Sequence, residues 1–414
     1  MAKTEDRVIS EPSSGLAGFK RNLRDLPGTL TLNAWLIGLV AVLIAYSSAL
    51  VVVFQAATNA GLDRAHLSSW IWALTVGSGV TSLLLCLWYR QPILIAWSLA
   101  GSALLASSLG RYPLEQAVGA YLVAGLAVAI LGWLGLFRRM LALVPTPIAM
   151  AMLAGVLLHF GTGLFGAFPQ QPLLISAMFV VFFTLRRLKS RVSIVGALVV
   201  GVIIAWFSGD LHFQELSLEL AVPVWITPDF NPGAIVGLGL PLFVLAIASQ
   251  DAPGLAVMLA AGYKTPADGP IAFTGITSIL TAPFGGHGLN LSSIMSVICT
   301  SPEAHPDPDK RYGAGVTAAI WFIVLGSFGA TAAALFAGFP KPLIAALAGL
   351  AMLGSILSSL TAAMADPAER DGALLALLIT ASDITLLGIG APFWGLVVGV
   401  IISRFLKPIM VAKS

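Results

Sequence analysis

The sequence predicts an all-α polytopic membrane protein with fourteen transmembrane segments in two inverted repeats of seven. Three observations predict it: the composition, a series of apolar runs along the whole chain, and the distribution of Lys and Arg between them. The 414 residues are 58% hydrophobic and 10% charged, with a mean hydropathy of +0.94, outside the range of soluble domains. The net charge of +3 carries no message by itself, because in a membrane protein the position of each Lys and Arg decides its meaning. The expected surroundings are membrane lipid, with no nucleic-acid partner. Cys86 and Cys299 lie inside apolar runs, which argues against a structural disulfide and against a metal site.

Residues 1–28 are polar and mixed in charge, read as a cytosolic or interfacial tail with no cleavable signal peptide. Within it Leu16, Phe19, Leu23 and Leu26 alternate with Lys20, Arg21 and Arg24 at helical spacing. This suits a short amphipathic helix on the anionic inner leaflet, and equally a disordered tail. Apolar runs then fall at about 30–56, 69–88, 92–110, 114–137, 144–166, 172–185 and 192–208, giving repeat 1 over 29–208. The loop 209–232 follows. Runs resume at about 233–261, 269–282, 283–301, 312–337, 342–364, 371–387 and 390–406, giving repeat 2 over 233–406.

Several runs are shorter than the ~20 residues a helical crossing needs, so the count rests on charge. With fourteen crossings and both termini cytoplasmic, 19 of the 22 Lys and Arg fall inside, and only Arg64, Arg111 and Lys341 fall outside. The loop 209–232 holds Asp210, Glu215, Glu219 and Asp229 and no Lys or Arg, as an external loop should. Omitting one short run would reverse every later loop. The repeat rests on Pro145-Thr146-Pro147-Ile148, which recurs 195 residues later as Pro340-Lys341-Pro342-Leu343, each opening the fifth segment of its half. Pro92 and Pro283 likewise open the third segments of the two halves. Because seven is odd, the second copy is inverted.

The stretch APFGGHGLNLSS, Ala282–Ser293, carries Gly285, Gly286 and Gly288 and is not expected to be helical. Extended backbone at membrane depth is tolerable only where protein or a watery cavity surrounds it. The tenth segment therefore reads as a strand over Pro283–Leu289 followed by a half-helix capped by Asn290 and running to about Ser301. The third mirrors it, with a strand over Pro92–Trp97, Ser98 as cap and LAGSALLASSL as half-helix. Two half-helix N-termini would face one site and hold an anion with backbone amides, since no Lys or Arg lies well inside any proposed span, Arg404 falling at the end of the last.

Of the carboxylates, Asp251 alone falls well inside a span, whereas Glu115 and Asp383 lie near the ends of theirs. An ionised Asp at the bilayer centre costs at least ~2.5–3.5 kcal/mol, which favours a functional group over a contact that caps a backbone gap at Pro253. His287 sits at the predicted break and is a functional candidate, the alternative being a histidine that satisfies loop carbonyls. His159 reads as a packing residue, and Gln250 can offer a neutral amide.

The stretches IASQDAPG (247–254) and FGGHGLNLSS (284–293), with the Pro-x-Pro openings, resemble the bacterial benzoate/proton symporter family over nearly the whole chain. That family is similar in architecture to uracil and sulfate permeases. The resemblance implies a core domain of segments 1–4 and 8–11 and a gate domain of segments 5–7 and 12–14. Nucleobase permeases contribute a substrate-binding glutamate from the eighth and tenth segments; here Gln250-Asp251 and His287–Asn290 stand in those neighbourhoods, which suits a carboxylate needing donors better than a nucleobase needing acceptors.

What the resemblance implies is proton-coupled symport of benzoate or a similar small aromatic carboxylate across the bacterial inner membrane. The carboxylate would meet the amides near Ser98, Gly286, His287, Gly288 and Asn290, with Gln250 beside it and its ring on Trp97 and Phe284. Asp251, with His287, would take the proton, and the core would slide against the gate with the Pro-x-Pro junctions as hinges. The alternatives are a transporter of another organic anion or a nucleobase, and a passive anion channel. A homodimer is compatible with such a chain. An enzyme is not expected: HExxH, a nucleophile elbow and a Walker A pair are all missing, Gly262-Tyr263-Lys264-Thr265 lacking the glycine before the lysine. No cofactor beyond the proton as coupling ion is called for.

Overall fold

A computed structural model describes residues 15–137, 139–140, 145–188, 193–211, 218–387 and 389–406. Residues 1–14 of the tail, Glu215 of the acidic loop, and Lys3, Arg7, Arg138, Lys189, Arg191, Lys407 and Lys413 of the charge count lie outside the described residues.

The amphipathic stretch of the tail is helical, as α1 (Leu16–Asp25). After one 3-10 turn the chain bends by 102° into α2 (Leu32–Ala45). Leu16 and Leu23 are exposed beside Lys20, Arg21 and Arg24, as expected for a helix lying at an interface. What fixes it is polar. Asn22 is buried and donates through Nδ2 to the Leu87 carbonyl at 2.8 Å, and its own carbonyl accepts from Tyr312 Oη at 3.0 Å. Arg90 reaches both Asn22 Oδ1 at 3.1 Å and Asp25 Oδ2 at 3.0 Å.

α2 continues through a π turn at Tyr46–Leu50 into α3 (Val51–Asn59). α4 (Arg64–Tyr89) returns, capped by Asp63. The next apolar run is broken, as its Pro and Ser predict: β1 (Ile95–Trp97) is followed by α5 (Leu99–Ser108) with Ser98 as N-cap. α6 (Leu114–Trp133), α7 (Thr146–Gly166), α8 (Pro172–Arg187) and α9 (Ser193–Phe207) complete the first half. α10 (Pro232–Ala260) is one long helix interrupted by π turns at Ile235–Gly239 and Ala246–Asp251. α11 (Asp268–Thr281), β2 (Leu289–Leu291) and α12 (Ser293–Cys299) follow. α13 (Tyr312–Ser327) bends by 63° into α14 (Gly329–Ala337). α15 (Lys341–Ala363), α16 (Arg370–Ala381), a small hairpin of β3 (Thr385–Leu386) and β4 (Ile389–Gly390), and α17 (Ala391–Leu406) end the fold.

The chain is thus a mostly helical polytopic membrane fold. By length and hydropathy, five described helices can cross a bilayer unaided, or up to seven if each bent pair is one span. α4 packs on α13, α6 on α11, α7 on α15, and α16 on both α17 and α7. Small residues permit this closeness: a Cβ on Gly275 of α11 would lie 2.2 Å from the Ala129 nitrogen of α6. Cys86 and Cys299 are buried and unbridged.

Replacing Asn22 with Ala should loosen α1 by about 1–3 kcal/mol, the usual cost of stranding buried hydrogen-bond partners. Faster hydrogen exchange over residues 16–25 would register it, and unchanged exchange would show that other contacts hold the helix. Arg90 beside Asp25 also holds that carboxyl below its ordinary value. Its contribution is therefore complete above the ordinary Asp range and fades as pH falls through the lowered value, so the protection of α1 relative to the intrinsic exchange rate should fall in acid.

Candidate functional site

β1 and β2 cross antiparallel, pairing Ile95 with Leu291, Ala96 with Asn290 and Trp97 with Leu289. The ladder extends by Ser98 N–H to the Gly288 carbonyl (3.2 Å) and Ser292 N–H to the Leu94 carbonyl (2.8 Å). A two-stranded ribbon buried in a membrane protein has outer edges that lipid cannot satisfy. Side chains do so here. Ser82 Oγ of α4 accepts from Ile95 N at 2.8 Å, Ser278 Oγ of α11 accepts from Leu289 N at 2.9 Å, and Asp251 Oδ1 of α10 accepts from Leu291 N at 2.9 Å.

This geometry corrects the predicted strand of the tenth segment. Pro283 and Phe284 belong to a 3-10 turn over Ala282–Phe284, and the strand covers Leu289–Leu291. Asn290 is in the strand and not a cap; Ser292 caps the half-helix, accepting from Met295 N at 3.4 Å. The pairing of Asn290 with Ala96 decides between two residues that both suit a cap. Gly285 ends the 3-10 turn with φ at 96°, and an added Cβ would come within 3.2 Å of Trp70.

The predicted site residues divide into three places. Trp97 and Gln250 line a cavity of about 390 Å³ between the strand crossing and helices α7 and α15. Ser249, Ser292, Ser293, Ser355, Ser358 and Ser359 add hydroxyl-bearing residues to a wall otherwise built from Ala, Leu, Met, Ile and Pro, and no Lys or Arg lines it. Trp97 is buried against Tyr46 and Phe322, and its indole Nε1–H has no hydrogen-bond partner. Ser98, His287, Gly288 and Asn290 instead line a much smaller cavity on the other side of the crossing, with Tyr121 and Ser278. Gly286 is packed tightly on Thr281 behind them. Phe284 joins neither cavity; it stacks edge-on with Trp72 and Trp225, because the 3-10 turn carries it away from Trp97.

Asp251 is fully buried at the end of the π turn Ala246–Asp251, a type of irregularity frequent at functional sites. The turn sends Gln250 to the large cavity and Asp251 to the strand edge. One carboxyl oxygen holds Leu291 N; the other, Oδ2, has no hydrogen bond of acceptable geometry, although the Asn290 side chain adjoins the carboxyl. The role of capping a gap at Pro253 does not apply, since the partner is the β2 backbone. His287 accepts from Trp70 Nε1 at 3.0 Å through Nδ1, which assigns its proton to Nε2, facing Ser102 Oγ at 2.9 Å and the Ser98 carbonyl at 3.2 Å. His159 does more than pack: its Nε2 lies 2.8 Å from Asp383 Oδ2, and Arg111 bonds the same corner through Thr385 Oγ1 at 3.1 Å and the Asp383 carbonyl at 3.3 Å. Ser82, Ser278 and Tyr121 were not singled out by the sequence reading. The doublets Thr81-Ser82 and Thr277-Ser278, each inside an apolar helix and 196 residues apart, are the signal that could have found the first two.

Two half-helices joined by a short ribbon, beside a cavity without Lys or Arg, mark a fold of polytopic membrane proteins that this chain shares with several solved structures. Among solved structures, the chain is similar to SLC26A9 (TM-score 0.58, 12% identity, 90% of this chain), spanning 65% of that chain's length. It is also similar to the transmembrane domain of the cyanobacterial bicarbonate transporter BicA (TM-score 0.57, 15% identity), covering 96% of this chain and 99% of that one. Residues 29–405 match the family described as "Benzoate membrane transport protein" (BenE), and the chain belongs to that family. Relatives include the "Inner membrane protein YdcO" of Escherichia coli, 40% identical over 88% of this chain and 93% of the relative. The "Benzoate membrane transport protein" of Acinetobacter baylyi is 36% identical over 92% of this chain and 96% of the relative. The chain is thus a membrane transport protein and not an enzyme.

Replacing Ser82 or Ser278 with Ala leaves one buried strand N–H without its acceptor, at a cost of about 1–3 kcal/mol each. Both variants should lower the thermal unfolding temperature of the purified protein. If neither does, the ribbon edges are satisfied in some other way.

Proposed function

We propose that this chain is a proton-coupled symporter for benzoate or a similar small aromatic carboxylate in the bacterial inner membrane, with both termini cytoplasmic. The observation that carries the reading is a cavity that is largely apolar and free of Lys and Arg, walled by Trp97, Gln250 and six serine residues. Its volume of about 390 Å³ lies in the range of small-molecule sites. An aromatic ring suits the apolar wall with Trp97, and a carboxylate suits neutral donors: the Gln250 amide, the serine hydroxyls and the first amides after Ser98 and Ser292. The names of the relatives point to the same cargo.

The reading includes fourteen spans in two inverted repeats, and a core of segments 1–4 and 8–11 that slides against a gate of segments 5–7 and 12–14. Internal correspondence supports the repeat. Ser82 serves Ile95 as Ser278 serves Leu289, and Ser98 caps α5 as Ser292 caps α12. The large cavity lies between α7 and α15, which open on the two Pro-x-Pro motifs, and the crossing they face. Asp251 carries the proton in this scheme. It has no ion-pair partner among the described residues, and Oδ2 is open to protonation while Oδ1 keeps Leu291. His287, with both nitrogens engaged, positions the small cavity and does not carry the proton.

Asp251→Asn keeps an acceptor for Leu291 N and removes the titratable group, so it separates the two jobs. In proteoliposomes the variant should still bind benzoate but lose pH-gradient-driven accumulation by more than about tenfold, the equivalent of ~1.4 kcal/mol of lost driving force. Accumulation and accompanying proton movement equal to the parent's would remove Asp251 from the mechanism. Competition by uracil, sulfate or salicylate against labelled benzoate tests the cargo itself.

A further inference from the structure

The smaller cavity has a volume of about 20 Å³ and sits inside the bundle, between the strand crossing, α6 and α10. Its polar wall consists of Ser98, Tyr121, Ser278, His287, Gly288 and Asn290. Most of those groups are spoken for. Ser278 Oγ bonds Leu289 N and the Thr274 carbonyl, Ser98 Oγ accepts from Gly101 N, and both His287 nitrogens are engaged. Two are not. Tyr121 Oη and Asn290 Oδ1 have no hydrogen-bond partner in the protein, and both residues are only 2% exposed. One is a donor and the other an acceptor, each costing about 1–3 kcal/mol if left unsatisfied, yet they do not bond each other.

A cavity needs roughly 10–15 Å³ and two to four polar partners to hold a water molecule. We infer that this cavity is a binding site for one water, bridging Tyr121 Oη and Asn290 Oδ1, and that the bridge orients the Asn290 side chain toward Asp251. Oδ1 held by the water turns the amide Nδ2 toward the adjoining carboxyl, where an ionised Asp251 needs a donor. When Asp251 is protonated its O–H donates, and the useful orientation of the amide reverses: Oδ1 faces Asp251 and Nδ2 faces the cavity. A water that both donates and accepts serves either orientation, which a fixed donor or a fixed acceptor could not. Tyr121 is accordingly a positioning residue, acting on Asp251 through the water and Asn290 without touching the cargo.

The positioning role rests on the proton reading above; the water itself does not. The test is a density map of the full chain in lipid nanodiscs at a resolution that shows buried waters, together with Tyr121→Phe. A peak within hydrogen-bonding distance of Tyr121 Oη and Asn290 Oδ1, lost in the variant, supports the site. A map without that peak, or with the two side chains bonded directly, overturns it, and the parent map alone decides this even if the variant fails to fold. For the positioning role, Tyr121→Phe should move the pH midpoint of benzoate uptake by about half a pH unit or more, a threefold change in proton affinity, with benzoate binding within twofold of the parent. An unmoved midpoint overturns that role. If the parent takes up no benzoate at all, the transport reading fails and the map still decides the water.

Discussion

Everything at the centre of this protein depends on one device: two three-residue strands that cross where a membrane protein would otherwise be helical. Wherever a span is cut, four ordinary helical hydrogen bonds are given up and eight backbone groups lose their partners, four at each new end. The ribbon recovers some of them between its strands, and the outer edges recover more from Ser82, Ser278 and Asp251. The amides beyond the caps Ser98 and Ser292 are left pointing toward the crossing. A cationic side chain is unnecessary there because peptide dipoles provide the positive potential. In the proposed reading such a site attracts an anion without a cationic side chain in the bilayer.

The same requirement explains the surrounding helices. Ser82 and Ser278 reach the strands only because α4 and α11 lie directly behind them, and α11 is held against α6 by close backbone approaches at Gly125, Gly132 and Gly275. Aromatic residues close the ends: Phe284, Trp72 and Trp225 over one side, Tyr46, Trp97 and Phe322 beside the large cavity. Polar atoms within reach of the crossing are consequently few and nearly all committed, which is why the unpartnered ones at Trp97, Tyr121, Asp251 and Asn290 carry information.

Much of this was legible in the sequence because glycine and proline act locally. Gly285, Gly286 and Gly288 together disfavour a helix wherever the rest of the fold places them, and Ser98 has no rival as a cap. What was not legible depended on pairing. Asn290 and Ser292 are both good caps, and only the register with Ala96 assigns one to the strand and the other to the helix. The resemblance implies a cargo ring on both Trp97 and Phe284, but a 3-10 turn over Ala282–Phe284 places Phe284 against Trp72 and Trp225 instead. Ser82 and Ser278 are ordinary helix serines until the strand positions are known. The hydroxyl groups of α15 belong to a different part of the chain and meet Trp97 only through tertiary packing.

Asp251 links the strand crossing to the proposed proton. A carboxyl recruited to satisfy a strand edge would be a poor proton carrier if protonation broke that edge. Here the duties fall on different oxygens, Oδ1 to Leu291 and Oδ2 without a bond of its own, so the ribbon survives in either protonation state. The charge arithmetic of the proposed cycle follows from this. With one proton for each carboxylate, the loaded core carries the charge of the cargo and a neutral Asp251, and the empty core carries the charge of an ionised Asp251. The two are equal, so what the membrane potential costs the loaded core on its way in is returned when the empty core moves back; the complete cycle carries no net charge, and the pH gradient alone drives accumulation.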